Sequence, residues 1–182
     1  FAAVLAFYGK DFIDQAVQLF GMPEAVFADI ATLRTGGKVD DYFIIHLMKP
    51  ARMPEVKITL KASYLMCENE PRFVLHGTEG SYVKYGLDPQ EADLTKGMLP
   101  DTPHWGEEDE SQWGILHTET DGNVVRKPYP TLPGNYAAFY ENIYQHIRNG
   151  AVLQSDACGV LGVIRLIEAA WESSRTGNVI KL

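Results

Sequence analysis

Between residues 55 and 64 the chain alternates without a break. Val56, Ile58, Leu60, Ala62 and Tyr64 fall on one side, Lys57, Thr59, Lys61 and Ser63 on the other. A period of two is the mark of a strand with one dry and one wet face. Downstream, such runs recur in pairs whose connections are too short for anything but a hairpin. Arg72–His76 and Ser81–Tyr85 flank Gly77-Thr78-Glu79-Gly80, with both glycines expected at positive φ. Trp113–Thr118 and Asn123–Lys127 flank Asp121-Gly122. Parallel neighbours need a crossover of a dozen or more residues. The pairing is therefore antiparallel.

Upstream, Ala25–Leu33 and Tyr42–Met48 read as two further strands separated by a Gly36-Gly37 turn. Tyr42–Met48 is apolar on both faces, which predicts a strand covered twice. Helices stand at the two ends. In residues 10–20 Phe12, Ile13, Ala16, Val17 and Phe20 share a helical face, Gly21 supplies a stop and Pro23 prevents continuation. Asp88-Pro89 opens one or two helical turns. Tyr136, Phe139, Tyr140, Ile143 and Ile147 define a later helix that ends at Asn149-Gly150. The last helix starts at Ser155, with Val160, Val163, Ile164, Ile167, Ala170 and Trp171 expected on its buried face, and stops at Gly177. A strand over Val179–Leu182 closes the chain. The order predicts an α+β fold: six to eight strands in meander order, a mostly antiparallel sheet, and three helices on one face. The open face is too aromatic and aliphatic to stay wet, which points to a partner sheet or domain.

At 182 residues the chain is sized for a single domain. Its 24 acidic against 16 basic residues leave a net charge of −8, opposite to the footprint of a nucleic-acid binder. The longest nearly apolar stretch, Phe1–Tyr8, falls far short of the roughly 20 residues that span a bilayer. Cys67 and Cys158 have neither C-x-x-C nor zinc-ligand spacing, and fit a reducing compartment. A cytoplasmic protein without nucleic-acid or membrane partners is the expectation. No G-x-G-x-x-G, Walker loop, G-x-S-x-G or H-E-x-x-H occurs.

The remaining candidates each have a plain structural alternative. His46 and His76, in strands, are placed either to share a crevice as metal ligands or proton carriers, or to be held singly by hydrogen bonds. His104-Trp105 beside Glu107, Glu108, Asp109 and Glu110 reads as a lid with an aromatic anchor or as a solvated acidic loop. Cys158, inside an apolar helix, reads as packing. Tyr82, Tyr85, Tyr136, Tyr140 and Tyr144 read as core and interface. Asp11 and Asp14 suit a first helical turn, where the helix dipole favours acids.

Four segments taken together carry a resemblance. G-K-D-F-I-D-Q-A-V-Q-L-F-G-M-P at 9–23 is similar to the G-x-H-x-x-D-x-x-x-x-L-F-G-x-P stretch of the glucose–fructose oxidoreductase / inositol dehydrogenase (Gfo/Idh/MocA) family. R-F-V-L-H-G-T-E-G-S-Y-V-K-Y-G-L-D at 72–88, N-Y-A-A-F-Y-E-N-I at 135–143 and V-I-R-L-I-E-A-A-W-E-S-S at 163–174 resemble its hairpin and two late helices. The nearest resemblance is to NADP-dependent scyllo-inositol dehydrogenase-like members.

The resemblance implies an α+β domain like the C-terminal domain of glyceraldehyde-3-phosphate dehydrogenase. This domain binds a polyol, inositol or sugar substrate and assembles into a homodimer or tetramer through its sheet face. NAD or NADP, with a catalytic lysine, is implied on a Rossmann domain outside this chain, so no cofactor-binding or metal residue is assigned here and this chain alone is expected to be inactive. The family's catalytic D-x-x-x-H aligns with Phe7 and Asp11, neither of which matches it. Asp11 thus occupies the histidine slot as the candidate general base. A carboxylate's reference pKa near 4 makes it a weak base at neutral pH unless it is buried. Lys10 and Asp14 are the implied substrate-binding residues. Loss of both D-x-x-x-H members supports the alternative, a non-catalytic ligand-binding or assembly module. A metal-dependent hydrolase or isomerase built on His46, His76 and the acids at 107–110 is a third reading.

Overall fold

The computed structural model describes Leu5 and residues 9–182, and these form two compact units. The first comprises the residues up to Cys67 together with Ser155–Leu182; the second is Glu68–Gln154. The α+β class and the antiparallel pairing hold, but the eight strands among the described residues divide between two four-stranded sheets rather than forming one.

In the first unit, helix α1 (Lys10–Phe20) leads into strands β1 (Pro23–Ala31), β2 (Tyr42–Pro50) and β3 (Ile58–Ser63). At the far end of the sequence, a long helix (Ala157–Thr176) precedes a two-residue strand, Ile180–Lys181. That strand pairs with the outer edge of β1 at Ala25 and Val26, while β1 pairs with β2 and β2 with β3. It is too short to cover β1 further along, and serines of the long helix take over. Ser173 Oγ accepts from Ala28 N at 3.0 Å and Ser174 Oγ from Ile30 N at 2.9 Å. Two edge N–H groups are thereby satisfied without a ladder.

The core lies between this sheet and the two helices. Phe43, Ile45 and Leu47 of β2 meet Val26 and Ala28 of β1, Ile13 and Ala16 of α1, and Val163, Leu166, Ala169 and Ala170 of the long helix. Phe43 is fully buried with Phe12 tilted against it, ring centroids 6.1 Å apart. The α1 face is the one its periodicity predicts. The long helix is rotated from expectation: Val160, Ile164 and Trp171 are about half exposed, and Ser173 completes the buried stripe instead. Its three-residue spacings at 163, 166 and 169/170 are matched equally well by the sequence, which carries apolar residues on both sides. Cys158 falls on the exposed side, contrary to the packing role expected of it.

β2 is covered once within this unit. Phe43, Ile45 and Leu47 are buried, whereas Tyr42, Ile44, His46 and Met48 are half-buried on the helix-free face. The register places Ile58, Leu60 and Ala62 opposite Leu47, Ile45 and Phe43. The aliphatic face of the alternating strand therefore lies under the helices. Its polar face, Thr59, Lys61 and Ser63, borders the open side.

The second unit holds β4 (Phe73–His76), β5 (Gly80–Lys84), β6 (Gly114–Thr120) and β7 (Asn123–Tyr129) in sequential antiparallel order. It also holds α2 (Gln90–Thr95), a single 3₁₀ turn at Glu110–Gln112, and α3 (Ala137–Asn149); the long terminal helix is accordingly α4 and the terminal strand β8. Asp121 and Gly122 both have positive φ, so the β6–β7 connection is the two-residue hairpin expected. Gly77 and Gly80 do not adopt positive φ. Gly80 is required for a different reason: a Cβ there would lie 2.7 Å from His117 O, because β6 passes directly beside it. No residue of α3 is buried, so among the described residues two helices rather than three supply buried faces for a sheet core, α1 and α4.

Candidate functional site

α1 begins at Gly9, which has helical φ and ψ and no side chain to cap the helix. The first turn therefore presents its side chains without a competing cap. Ile13 and Ala16 turn inward; Lys10, Asp11 and Asp14 turn to solvent. Lys10 Nζ stands 3.8 Å from Asp11 Oδ1, with both side chains more than half exposed. Asp11 and Asp14 are three residues apart and Lys10 and Asp14 four, the spacings that share one helical face. The three candidates are thus brought together: two acceptors and one cation on a rigid helix end. Phe7 lies outside the described residues.

The two histidines fall in different units, each held by its own strand neighbour. His46, in the first unit, bonds Thr59 Oγ1 through Nδ1 at 3.0 Å and stacks on Phe27. His76, in the second, bonds Ser81 Oγ at 2.8 Å. Among the described residues no group of three or more His, Cys, Asp or Glu is arranged to hold a metal.

The acidic loop is ordered by contacts its sequence does not advertise. Gln90 is fully buried; its Oε1 accepts from Trp105 Nε1 at 2.8 Å and from Tyr136 N at 2.9 Å, and its Nε2 donates to Asp88 at 3.0 Å. Gly106 O accepts from Gly134 N at 3.1 Å. Lys84 is buried too, and its ammonium donates to Glu108 Oε1, Tyr85 O and Gln112 O, each at 2.8 Å. Trp105 is an anchor, and Glu108 is a buried ion-pair partner rather than a solvated acid. Glu107, Asp109 and Glu110 remain at the surface, Glu107 Oε2 accepting from Nδ1 of the exposed His104 ring at 2.9 Å. Of the tyrosines, Tyr140 is 71% exposed and Tyr85, Tyr136 and Tyr144 are exposed as well. Burial of part of the Tyr136 ring, with the charges of Asp88 and Glu91 nearby, raises its hydroxyl above the usual range.

In the first unit Asp41 is fully buried, accepting from Leu33 N at 2.7 Å, Arg34 N at 3.1 Å and Arg34 Nε at 2.7 Å. The Leu33 amide, then the Arg34 side chain, hold its carboxyl below the usual range against the opposing effect of burial. Neither Gln90, Lys84 nor Asp41 carried a sequence signal that separates it from a surface residue of the same type.

Two antiparallel sheets, one with a helix-covered core, and an exposed polar helix end define an α+β domain. Residues 7–182 match the model of the oxidoreductase family C-terminal alpha/beta domain, and the chain belongs to that family, Gfo/Idh/MocA. It is 35% identical over 174 residues to the scyllo-inositol 2-dehydrogenase (NADP(+)) IolW of Bacillus subtilis, covering 96% of this chain and 48% of that protein. A crystal structure of an oxidoreductase from Bacteroides fragilis is 58% identical, with TM-score 0.95 over all of this chain and 54% of that one. The oxidoreductase YvaA of Bacillus subtilis is 34% identical, with TM-score 0.92 over all of this chain and 51% of its own. The chain spans about half the length of the curated relatives it matches. No helix among the described residues is long and apolar enough to cross a membrane.

Proposed function

We propose that this chain is the substrate-binding and assembly domain of a cytoplasmic NAD(P)-dependent oxidoreductase acting on a polyol, an inositol or a sugar. The observation that carries the reading is the similarity to IolW along 96% of the chain, on a domain of the same family. Among the described residues every strand pairing is antiparallel and no strand leads through a glycine-rich turn into a helix. A dinucleotide pyrophosphate needs that arrangement, so the cofactor is assigned to a Rossmann domain beyond these residues.

In this reading Asp11 takes the proton from the substrate hydroxyl that is oxidised. A solvated carboxylate is a poor base, and substrate binding must strip water from it for the step to work. Lys10 donates to a neighbouring substrate hydroxyl, and Asp14, one turn on, accepts from another. Such paired donors and acceptors suit a ligand made of vicinal hydroxyls. Assembly uses the helix-free face of the first sheet, where Phe27, Tyr42, Ile44 and Met48 are half-buried and a second copy would complete their burial. A stable interface of that kind removes well over about 1,000 Å².

The test is a screen of the full-length protein with NAD⁺ and NADP⁺ against inositols, linear polyols and aldoses, read by reduced-cofactor absorbance. Turnover on at least one of these classes is expected. The replacement of the family's acid–histidine pair by Phe7 and Asp11 favours a second reading, a non-catalytic binding or assembly module. Saturable polyol binding without turnover on any candidate would select it.

A further inference from the structure

We propose that one face of the second sheet is a binding site for a small oxyanion, a phosphate or carboxylate group of a soluble compound. This is independent of the polyol reading. The ladder register places Ser81 opposite His117 and His117 opposite Arg126, so three adjacent strands contribute one transverse row. Directly opposed side chains in antiparallel strands lie about 5 Å apart, so hydroxyl, imidazole and guanidinium span about 10 Å. His76, opposite Ser81 on the fourth strand, extends the row. Ser81, His117 and Arg126 line a cavity of about 240 Å³ together with Val83, Tyr85 and Ile115. Its floor is apolar, and its polar groups are donors: a hydroxyl, a phenol, an imidazole and a guanidinium.

The two basic side chains are uncommitted. Among the described residues neither the His117 nor the Arg126 side chain makes a hydrogen bond or ion pair, in a chain with only 16 lysines and arginines and a net charge of −8. Ser81 is not left to choose its own direction. With a proton on Nδ1, His76 donates to Ser81 Oγ across 2.8 Å, and the serine proton is then free to point at an anion. The planar fork of Arg126 matches two oxygens of a phosphate or carboxylate. The titratable groups on this face are His76, Tyr85, His117 and Glu119, with Arg126 the fixed charge. Glu119 lies two residues along β6, opposite Val124 rather than Arg126.

The experiment is an NMR titration of the histidine ring resonances of this chain, first with inorganic phosphate and separately with citrate. Saturable shifts at His117 and His76 are expected, with His46 of the first sheet unmoved. Arg126→Gln and His117→Gln should each raise the apparent Kd about tenfold or more, the loss of one hydrogen-bonded contact. Whichever anion saturates at lower concentration identifies the group recognised. Shifts that grow linearly and equally at His46, or a titration that Arg126→Gln leaves unchanged, would overturn the proposal. So would shifts that depend on protein concentration alone, since the row would then be a contact between copies.

Discussion

The buried Lys84–Glu108 pair should behave as a unit whose halves cannot be removed singly. Lys84 is 8% exposed at its side chain and Glu108 4%, and the charged atoms are 2.8 Å apart. At that distance, with an effective dielectric near 20, the attraction is about 6 kcal/mol before desolvation is subtracted. The ammonium has three N–H groups and three acceptors, so removing Glu108 strands one N–H as well as the charge. Glu108→Ala and Lys84→Met should each destabilise the second unit by about 3–5 kcal/mol, the cost of leaving one buried charge unpaired. The double variant Lys84→Met/Glu108→Leu should recover most of that loss. Glu108 Oε2 is buried with no hydrogen-bond partner among the described residues, so the carboxylate is incompletely compensated even in the parent. Urea denaturation in a Trp171→Phe background isolates Trp105 and Trp113, both in the second unit, as fluorescent reporters. Single variants that each cost less than about 1 kcal/mol, and add without coupling, would mean the pair is screened by water and would refute the reasoning.

Gly134→Ala should also destabilise the second unit, by about 2 kcal/mol or more, because its Cβ would lie 2.0 Å from Asp88 Oδ2 and 2.2 Å from Gln90 Nε2; the same urea assay measures it. Asp41 predicts the acid limb of the first unit. Its folded-state pKa is lowered from 3.8, so its stabilisation is present above that value and is lost as pH falls through the lower folded value. Asp41→Asn should flatten the dependence of stability on pH in that range, as followed by Trp171 fluorescence.

How much of this was legible depends on whether the period of the sequence matched the period of burial. The α1 face, the hairpin at Asp121-Gly122 and the Gly150 and Gly177 helix ends follow from local chemistry, and each lies where that chemistry places it. The face of α4 does not, because Val160, Ile164 and Trp171 are as apolar as Val163 and Leu166, and tertiary packing makes the choice. The division into two sheets was likewise hidden: hairpin signals report which strands neighbour each other, not where a sheet ends. At the candidate site, Lys10, Asp11 and Asp14 were visible because four motifs in order point to the family. Gln90 and Lys84 were not, since only three-dimensional neighbours distinguish a buried polar hub from a surface one.

The central claim is that Asp11 stands where the chemistry of a polyol or sugar oxidoreductase happens, and turnover of position-11 variants in the full-length protein tests it most directly. Asp11→Asn should cut kcat roughly 10²-fold or more, a typical general-base contribution. Asp11→His should preserve or raise it, since imidazole is the better base at neutral pH. If both variants turn over at the parent's rate, Asp11 is an exposed residue of a helix end and the claim is wrong.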